Sequence, residues 1–349
     1  MRPCGTYDET YAEDMSIIRT RLQWVLLIIA LVLLFLLPQV LSIGWLTIVN
    51  GIGIYAIAVL GLQVLTGYAG QISLGQSAFM GVGAYTTFLT VTYWGLPFWV
   101  TLPLAGISAG LAGLIFGLSS LRVKGFYLAM STLAAQFIIP WLIINIAPDI
   151  TGHTTRVVPP PSIAGFVINT QEEMFYLIFP VTLLTIFLIK NLVRGRMGRA
   201  FIAIRDNDVA AGVMGINIFK YKLLAFLVSA ICAGVAGCLT AYWLRVVSPD
   251  QISLMQSIWF LGMLVIGGLG SISGAIMGVT FVQLFNYLIT VIGQNIADAW
   301  PSWADLATGP LSPMAFGLIV ILTLIFQPRG LAHQWEIIKK SYRLFPFSY

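Results

Sequence analysis

The chain has 349 residues, of which 58% are hydrophobic and only 9% are charged, and its mean hydropathy is +0.92. Soluble domains carry about 25% charged residues, so this composition excludes an ordinary soluble enzyme, and the hydrophobicity excludes a disordered chain. No acidic or basic residue occurs from Leu22 through Leu121. Since a helix of about 20 apolar residues spans a bilayer, that stretch alone is long enough for about four crossings. The sequence predicts an all-α polytopic membrane protein.

Charges, prolines and turn residues divide the apolar stretches into about ten predicted membrane-spanning helices. We place these helices at residues 23–41, 43–65, 72–94, 98–120, 126–147, 174–193, 223–244, 254–270, 274–292 and 311–327. The glycine-rich pieces around 66–83 and 262–278 are candidates for broken or re-entrant helices. The resulting division is an N-terminal tail at 1–22, a transmembrane domain at 23–328 and a C-terminal tail at 329–349.

The distribution of basic residues predicts the orientation of the chain. With both termini in the cytoplasm, every lysine and arginine except Arg156 and Arg245 falls on the cytoplasmic side. Lysine and arginine are enriched in cytoplasmic loops, so this asymmetry favours cytoplasmic termini. The basic pI of about 9.1 then reflects topology, and no nucleic-acid partner is expected.

Two loops are long enough to carry a function. The predicted periplasmic loop, at about 148–172, contains the stiff run Pro159-Pro160-Pro161, which cannot form a helix. The predicted cytoplasmic loop, at about 194–222, contains a short helix that Asn207 or Asp208 caps at its start and Gly215 ends. A second helix is predicted to begin at Asn217.

The cytoplasmic loop carries more apolar side chains than a solvated connector requires. These residues are Phe201, Ile202, Ile204, Val209, Val213 and Met214. An exposed apolar patch surrounded by charge is typical of an interaction site. We therefore expect a cytoplasmic motor subunit to dock on this loop, the alternative being a connector with basic membrane anchors.

Residue types needed for chemistry are scarce. The predicted spans contain essentially no ionisable residue away from their ends, and the two histidines, His153 and His333, lie in a loop and a tail. No phosphate-binding loop, HExxH motif or nucleophile–base pair occurs in the sequence. Cys4, Cys232 and Cys238 form no CxxC pair. We expect no enzymatic activity, no metal and no cofactor, so separate subunits must hydrolyse ATP if transport is uphill.

Two segments of the sequence resemble each other. Gly70-Gln-Ile-Ser73, followed by Met80-Gly81-Val82, is similar to Gly270-Ser-Ile-Ser273, followed by Met277-Gly278-Val279. Small residues at such spacing let helices approach closely in lipid. The similarity indicates either convergent small-residue packing or a duplicated transporter core around the translocation path.

Polar residues within the predicted spans are the candidates for that path, because unpaired polar groups in lipid cost free energy. These residues are Asn50, Gln63, Gln71, Ser73, Gln76, Ser77, Tyr85, Gln136, Asn145, Gln283 and Asn286. We favour the cluster of Gln71, Ser73, Gln76 and Ser77, together with Tyr85, because it follows a predicted helix break. For any single candidate, a hydrogen bond between helices is the more common role than contact with a solute.

Four segments resemble signatures of a known family. They are Gly67–Tyr85, Leu121–Leu133, Gly198–Asn217 and Val265–Ala275, and the resemblance covers roughly residues 40–330 in the family's order. Together they are similar to the LivM-type permease subunits of branched-chain amino-acid ABC importers. Such a permease is a multi-pass protein of the bacterial inner membrane.

The resemblance implies partners and roles. A LivH-like second permease, two LivG/LivF-like ATPase subunits that bind the ATP, and a periplasmic solute-binding protein complete such an importer. Arg205, Asp206, Asp208 and Gly215 correspond to the segment that couples to the ATPases. The solute stays open between branched-chain amino acids and urea, short amides or aromatic acids. The alternative function is an ATP-independent channel or facilitator for a small neutral solute.

Overall fold

The computed structural model describes residues 21–120, 126–146, 155–163, 166–299 and 309–344. Several predictions lie outside these residues, namely those that concern the N-terminal tail up to residue 20 and the first part of the periplasmic loop. Arg122, Lys124, His153 and Cys4 also lie outside them. Cys232 and Cys238 are buried with free thiols.

Long helices form most of the described chain. Their bounds are α1 (Arg21–Val40), α2 (Ile43–Leu62), α3 (Gln76–Trp94), α4 (Phe98–Ser120), α5 (Phe126–Ile146), α6 (Gln171–Arg194), α7 (Arg196–Asp206), α8 (Asp208–Val213), α9 (Ile218–Leu244), α10 (Leu254–Gly267), α11 (Ile272–Ala299), α12 (Leu311–Phe326) and α13 (Gly330–Leu344). A π-helical turn, Gln63–Tyr68, continues α2, and a 3₁₀ turn, Pro249–Gln251, precedes α10.

Two short antiparallel ladders lie between helices. β1 (Arg156–Val157) pairs with β4 (Val246–Val247), which follows α9, and β2 (Ser162–Ile163) pairs with β3 (Phe166–Val167). β1 and β4 are held by Val158, whose backbone N–H donates to the carbonyl of Arg245. The segment that precedes the proline run is therefore tied to the C-terminal end of α9.

The described residues support a polytopic membrane protein, but fewer of their helices than predicted are long and apolar enough to span a membrane. A helix occupies each of the ten predicted segments. Of the helices in the described part of the chain, 7 are long and apolar enough to cross a membrane, and counting the pair α12 and α13, bent by 47°, as one span gives 8. The count of ten and the side on which the termini lie stay predictions.

The glycine-rich segment after α2 is a break in the helix, which we call the first break (residues 69–75). Helix α3 begins at residue 76 rather than at 72 as predicted, because Gly70 adopts a left-handed conformation with φ of +68° and the chain stays extended afterwards. Buried non-helical backbone needs hydrogen-bond partners. Thr66 Oγ1 donates to the carbonyl of Gln71, and the Leu74 N–H donates to Thr132 Oγ1.

A shorter break separates α10 from α11, and we call it the second break (residues 268–271). Gly268 and Gly270 have φ of +113° and +80°, values that an L side chain rarely adopts. Helix α10 therefore ends at residue 267 rather than at 270, and α11 begins at 272 rather than at 274. The two similar sequence segments thus each contain a helix break.

Helix α9 is the centre of the bundle and packs against α2, α3 and α4. Its glycines bring the backbones into direct contact: Gly234 lies against the backbones of Ala105 on α4 and Gly83 on α3, and Gly237 lies against the backbone of Met80. Helices in membranes associate through such close packing of small residues. In the resulting core, the backbones of α3 and α4 lie in direct contact with the backbone of α9.

We expect Gly83→Leu to destabilise the protein, because a side chain there would occupy the space of the Gly234 backbone. Overpacking costs about 1–3 kcal/mol and occasionally more, and backbone cannot yield easily, so we expect a loss of about 3 kcal/mol. The melting temperature of the detergent-purified protein measures it. Gly317→Leu is the control, because no heavy atom lies within 4 Å of the added Cβ. Equal losses in the two variants would contradict the expectation.

Candidate functional site

A cavity of about 150 Å³ opens beside the start of α3, at the C-terminal end of α9. Its wall is mixed polar and apolar, without a charged side chain. The lining residues are Tyr55, Ser77, Met80, Gly81, Ala84, Thr240, Leu244, Val247, Ser248, Gln251, Ile252 and Gln256. Ser77 is the predicted path residue that lines it. The break before α3 makes this possible, since it brings the first turn of α3 against α10.

A hydrogen-bond network fixes the first turn of α3 beside this cavity. Ser257 Oγ accepts from the Ser77 N–H at 2.9 Å and donates to Gln136 Oε1 at 2.9 Å. Gln136 Oε1 also accepts from the Ala78 N–H, and its Nε2 donates to the carbonyl of Ile252 at 3.2 Å. The N–H groups at a helix start have no partner within the helix, so these side chains replace the missing partners.

Sequence reasoning missed Ser257 and Thr132 as members of this site. Ser257 is fully buried in α10, and Thr132 is fully buried in α5, where its hydroxyl accepts from the first break. The sequence feature that could have identified them is a hydroxyl side chain within a predicted membrane span. Both residues lie far along the chain from the groups they bind, so the sequence alone did not connect them.

Two of the five favoured path residues, Ser73 and Gln76, use their side chains for hydrogen bonds within the protein. Gln76 Nε2 donates to the carbonyl of Ala58 at 2.8 Å, and its Oε1 accepts from Ser229 Oγ at 3.1 Å, so Gln76 links α3 to α2 and α9. Ser73 Oγ accepts from the N–H of Gly75 at 3.4 Å within the first break. These two side chains are used by the fold.

Gln71 and Tyr85 differ, because their polar atoms are buried without a partner. The side chains are 2% and 3% exposed, and among the described residues neither amide atom of Gln71 nor the hydroxyl of Tyr85 has a hydrogen-bond partner. Buried polar groups in proteins are almost always paired with protein or ordered water. Among the described buried candidates, these two side chains therefore have all of their polar atoms free to bind a polar solute or water.

The remaining polar candidates mostly link helices. Asn50 Nδ2 donates to the backbone and side-chain oxygens of Gln171, and Asn286 Oδ1 accepts from Ser312 Oγ at 2.6 Å. Asn145 Nδ2 donates to a carbonyl of its own helix. Gln283 lines a second cavity between α2, α9 and α11. Gln63 binds the second break, as described below.

The loop at about 194–222, which is predicted to be cytoplasmic, has the helix boundaries that its sequence predicts. Asn207 Oδ1 accepts from the N–H groups of Val209 and Ala210 and so caps α8. Gly215 has a φ of +84°, in the left-handed region that favours glycine. Asn217 Oδ1 accepts from the Lys220 N–H at the start of α9. These local predictions are confirmed.

The apolar patch predicted for this loop is smaller than its sequence suggested. Phe201 and Ile204 of α7 are 0% and 4% exposed, so the expectation that they face water is wrong. The reason is that α7 is amphipathic and buries this face, with Phe201 against Tyr221 of α9. Three residues on and after α8 remain exposed, and we call them the docking surface: Val209, Val213 and Met214, which are 66%, 84% and 82% exposed.

The charged residues of the predicted coupling segment directly precede this surface in the sequence. Asp208, in the first turn of α8, lies 3.6 Å from Lys222 Nζ on α9. Arg205 and Asp206, at the end of α7, form an ion pair at 3.1 Å. Arg205 Nη1 also donates to the carbonyl of Gly67 at 3.0 Å. Arg205 therefore faces the membrane bundle rather than the docking surface.

The chain has well-defined relatives. Residues 44–326 match the family described as branched-chain amino acid transport system, permease component. The high-affinity branched-chain amino acid transport system permease protein LivM of Escherichia coli K12 is 30% identical, over 92% of this chain and 76% of that protein. LivM of Salmonella typhimurium is 31% identical, over 84% of this chain and 71% of that protein. BraD of Pseudomonas aeruginosa, also a high-affinity branched-chain amino acid transport system permease protein, is 27% identical, over 84% of this chain and 96% of that protein. No solved structure matches.

The match covers both helix breaks, the cavity and the loop that contains α7 and α8. The relatives are permease components of transport systems and not enzymes. The chain is therefore a multi-pass protein of the inner membrane and a transporter subunit of LivM type. It belongs to the family of permease components of branched-chain amino acid transport systems.

Proposed function

We propose that this chain forms part of the path by which branched-chain amino acids cross the inner membrane in an ATP-driven importer. The family match over residues 44–326 carries this proposal, because the relatives are named for the transport of these solutes. The cavity beside α3 is the segment of the path that the described residues form.

The chemistry of the cavity suits such a solute. A cavity of about 150 Å³ accommodates a group of about benzene size, which is enough for an aliphatic side chain. Met80, Ala84 and Leu244 supply apolar wall, and Ser77 and Gln251 supply neutral polar wall. A neutral wall passes a zwitterion without binding it tightly. Gln71 and Tyr85 are the buried side chains available to hydrogen-bond it on its way.

The partners follow from the same membership. A second, LivH-like permease would complete the path, a periplasmic binding protein would deliver the solute, and two LivG/LivF-like subunits would bind and hydrolyse ATP, so this chain needs no cofactor. The docking surface is the part of the chain we assign to an ATPase. It is exposed and apolar, and Asp208 lies in the first turn of the same helix, as expected of an interaction site with charge at its border.

The orientation that accompanies this function places α7, α8 and both breaks on the cytoplasmic side. Ten spans with both termini inside are consistent with a helix in every predicted segment. The cavity and the β1–β4 ladder then lie toward the periplasm, since they sit at the end of α9 opposite α8. The binding protein would release its solute on that side.

Reconstitution of the chain into proteoliposomes tests the function. With its partner permease, ATPases and binding protein, the complex should accumulate leucine, isoleucine or valine only when ATP and binding protein are both present. The chain alone should give no flux. ATP-independent leucine flux through the chain alone would favour a facilitator, and uptake of urea or an aromatic acid in place of leucine would contradict the proposed solute.

Filling the cavity should slow transport without disturbing assembly. Thr240 lines the cavity, and its hydroxyl donates only to the Ala236 carbonyl of its own helix among the contacts the structure gives. We expect Thr240→Phe to reduce leucine uptake strongly, because the ring would occupy the space of the solute's side chain. Thr280→Phe is the control, since Thr280 makes the same type of bond to Ile276 but lies outside the cavity. Unchanged uptake in Thr240→Phe would remove the cavity from the path.

Replacing valines of the docking surface should weaken ATPase binding. Burying one valine contributes about 1.5–3 kcal/mol, so the double change Val209→Gln and Val213→Gln should weaken the affinity for the ATPase subunits by at least about tenfold. Binding of the purified ATPases to the permease in nanodiscs measures this effect. Phe166→Gln is the control, because Phe166 is equally exposed, at 81%, but lies at the other end of the bundle. Undiminished ATPase affinity in the double variant would show that the ATPases dock elsewhere.

A further inference from the structure

Arg205 lies where three parts of the chain meet. It stands at the C-terminal end of α7, two residues before the Asn207 cap of α8. Its Nη1 donates to the carbonyl of Gly67 at 3.0 Å, at the end of the π-helical turn. Carbonyls at a helix end lack partners within the helix, and a cation stabilises that end. The guanidinium of Arg205 thus occupies the end of the second helix, immediately before the first break.

The two breaks also contact each other at this point. Gln63 Nε2 donates to the carbonyls of Gly268 at 3.3 Å and Ser271 at 3.1 Å. A methyl group on Gly67 would lie 2.8 Å from the backbone nitrogen of Gly270. The end of the π-helical turn therefore rests directly on the second break.

Arg205 packs on glycines of both breaks. A Cβ on Gly70 would lie 2.8 Å from Arg205 Cγ, and a Cβ on Gly270 would lie 3.2 Å from Arg205 Nη1. Both glycines have positive φ, so neither position accepts a larger residue without strain. The side chain of Arg205 is thus in contact with both breaks at once.

Asp206 orients the guanidinium. Arg205 Nε and Nη2 both donate to Asp206 Oδ1, at 3.2 and 3.1 Å, which leaves Nη1 directed at Gly67. The pair is 38% and 63% exposed, and exposed ion pairs contribute little to stability. Its effect is on geometry. Arginine suits this place because its planar fork binds an acid and a carbonyl together, which the single ammonium of lysine cannot do in the same way.

We propose that Arg205 is a positioning residue that transmits movement of the docking surface to both helix breaks, and that it does not itself bind the ATPase. This inference rests on the proposed function, since it assigns the energy input to ATPases docked on α8. A displacement of α8 pulls on Asp206, which directly precedes its cap and is ion-paired with Arg205. Arg205 passes that displacement to the Gly67 carbonyl and to the second break at once.

Arg205→Gln in the reconstituted importer tests the proposal. We expect the ATPases to stay bound and ATP hydrolysis to continue, while the amount of leucine imported per ATP falls roughly tenfold, as expected for loss of a hydrogen bond from a charged group. Arg205→Lys, which keeps one charged donor, should recover part of the loss. Arg196→Gln is the matched control, because Arg196 is an exposed arginine on the same helix, and it should keep the wild-type ratio.

Asp206→Asn provides a second variant that does not depend on folding of the first, because Asp206 is exposed. It should lower the leucine-to-ATP ratio several-fold with the ATPases still bound. Loss of ATPase binding in either variant would overturn the proposal by making Arg205 a docking contact, and a wild-type ratio in both would overturn it as well. Failure of the wild-type complex to import any branched-chain amino acid would refute the proposed function instead, so the two failures are distinguishable.

Discussion

Buried backbone outside a helix must find hydrogen-bond partners in an apolar bundle, and this constraint organises the structure. The first break runs through a region where Gln71 and Ser73 are 2% and 0% exposed. Thr66 and Thr132 bind its backbone from α2 and α5. Gln63 does the same for the second break. Most of the buried neutral polar side chains in the described part of the chain therefore form hydrogen bonds within the protein. Only the polar side chains without such a bond are free to bind a solute.

The same constraint separates a rigid part of the molecule from an accessible one. Around α9 the glycines hold backbones against each other, so a solute cannot enter there without separating helices. The cavity lies where the packing is looser, beside the first turn of α3, whose N–H groups are bound by Gln136 and Ser257. At the other end of α9 the docking surface is exposed. The accessible regions thus lie at opposite ends of one closely packed helix.

Local features were predictable from the sequence, and long-range ones were not. The caps at Asn207 and Asn217 and the left-handed Gly215 depend on neighbours within four residues, and the structure has all three. The presence of both breaks followed from their glycines, although the helix ends moved by a few residues because Gly70, Gly268 and Gly270 decide where the helix stops.

Burial within the loop that contains α7 and α8 depends on the neighbouring helix α9, which the sequence of the loop does not show. Phe201 is apolar in the same way as Val213, and only the position of α9 decides that Phe201 is covered and Val213 is not. Gln76 was a path candidate by residue type, yet its partners are a backbone carbonyl at Ala58 and a hydroxyl at Ser229. A backbone carbonyl has no sequence signal. The contact of Arg205 with the bundle was hidden for the same reason, since its partner is the carbonyl of Gly67.

The position of Gln71 connects the neutral path to the charged loop. Gln71 follows Gly70 directly, and Gly70 is in contact with Arg205. Its amide has no partner among the described residues, so no hydrogen bond of its own side chain holds it in place. Its backbone, however, is bound at both ends, since its N–H donates to Leu65 and its carbonyl accepts from Thr66. A shift of the Gly67–Gly70 backbone therefore moves the Gln71 side chain as a unit. On the proposed assignment, Arg205 would in this way move a side chain of the path although it lies in the loop.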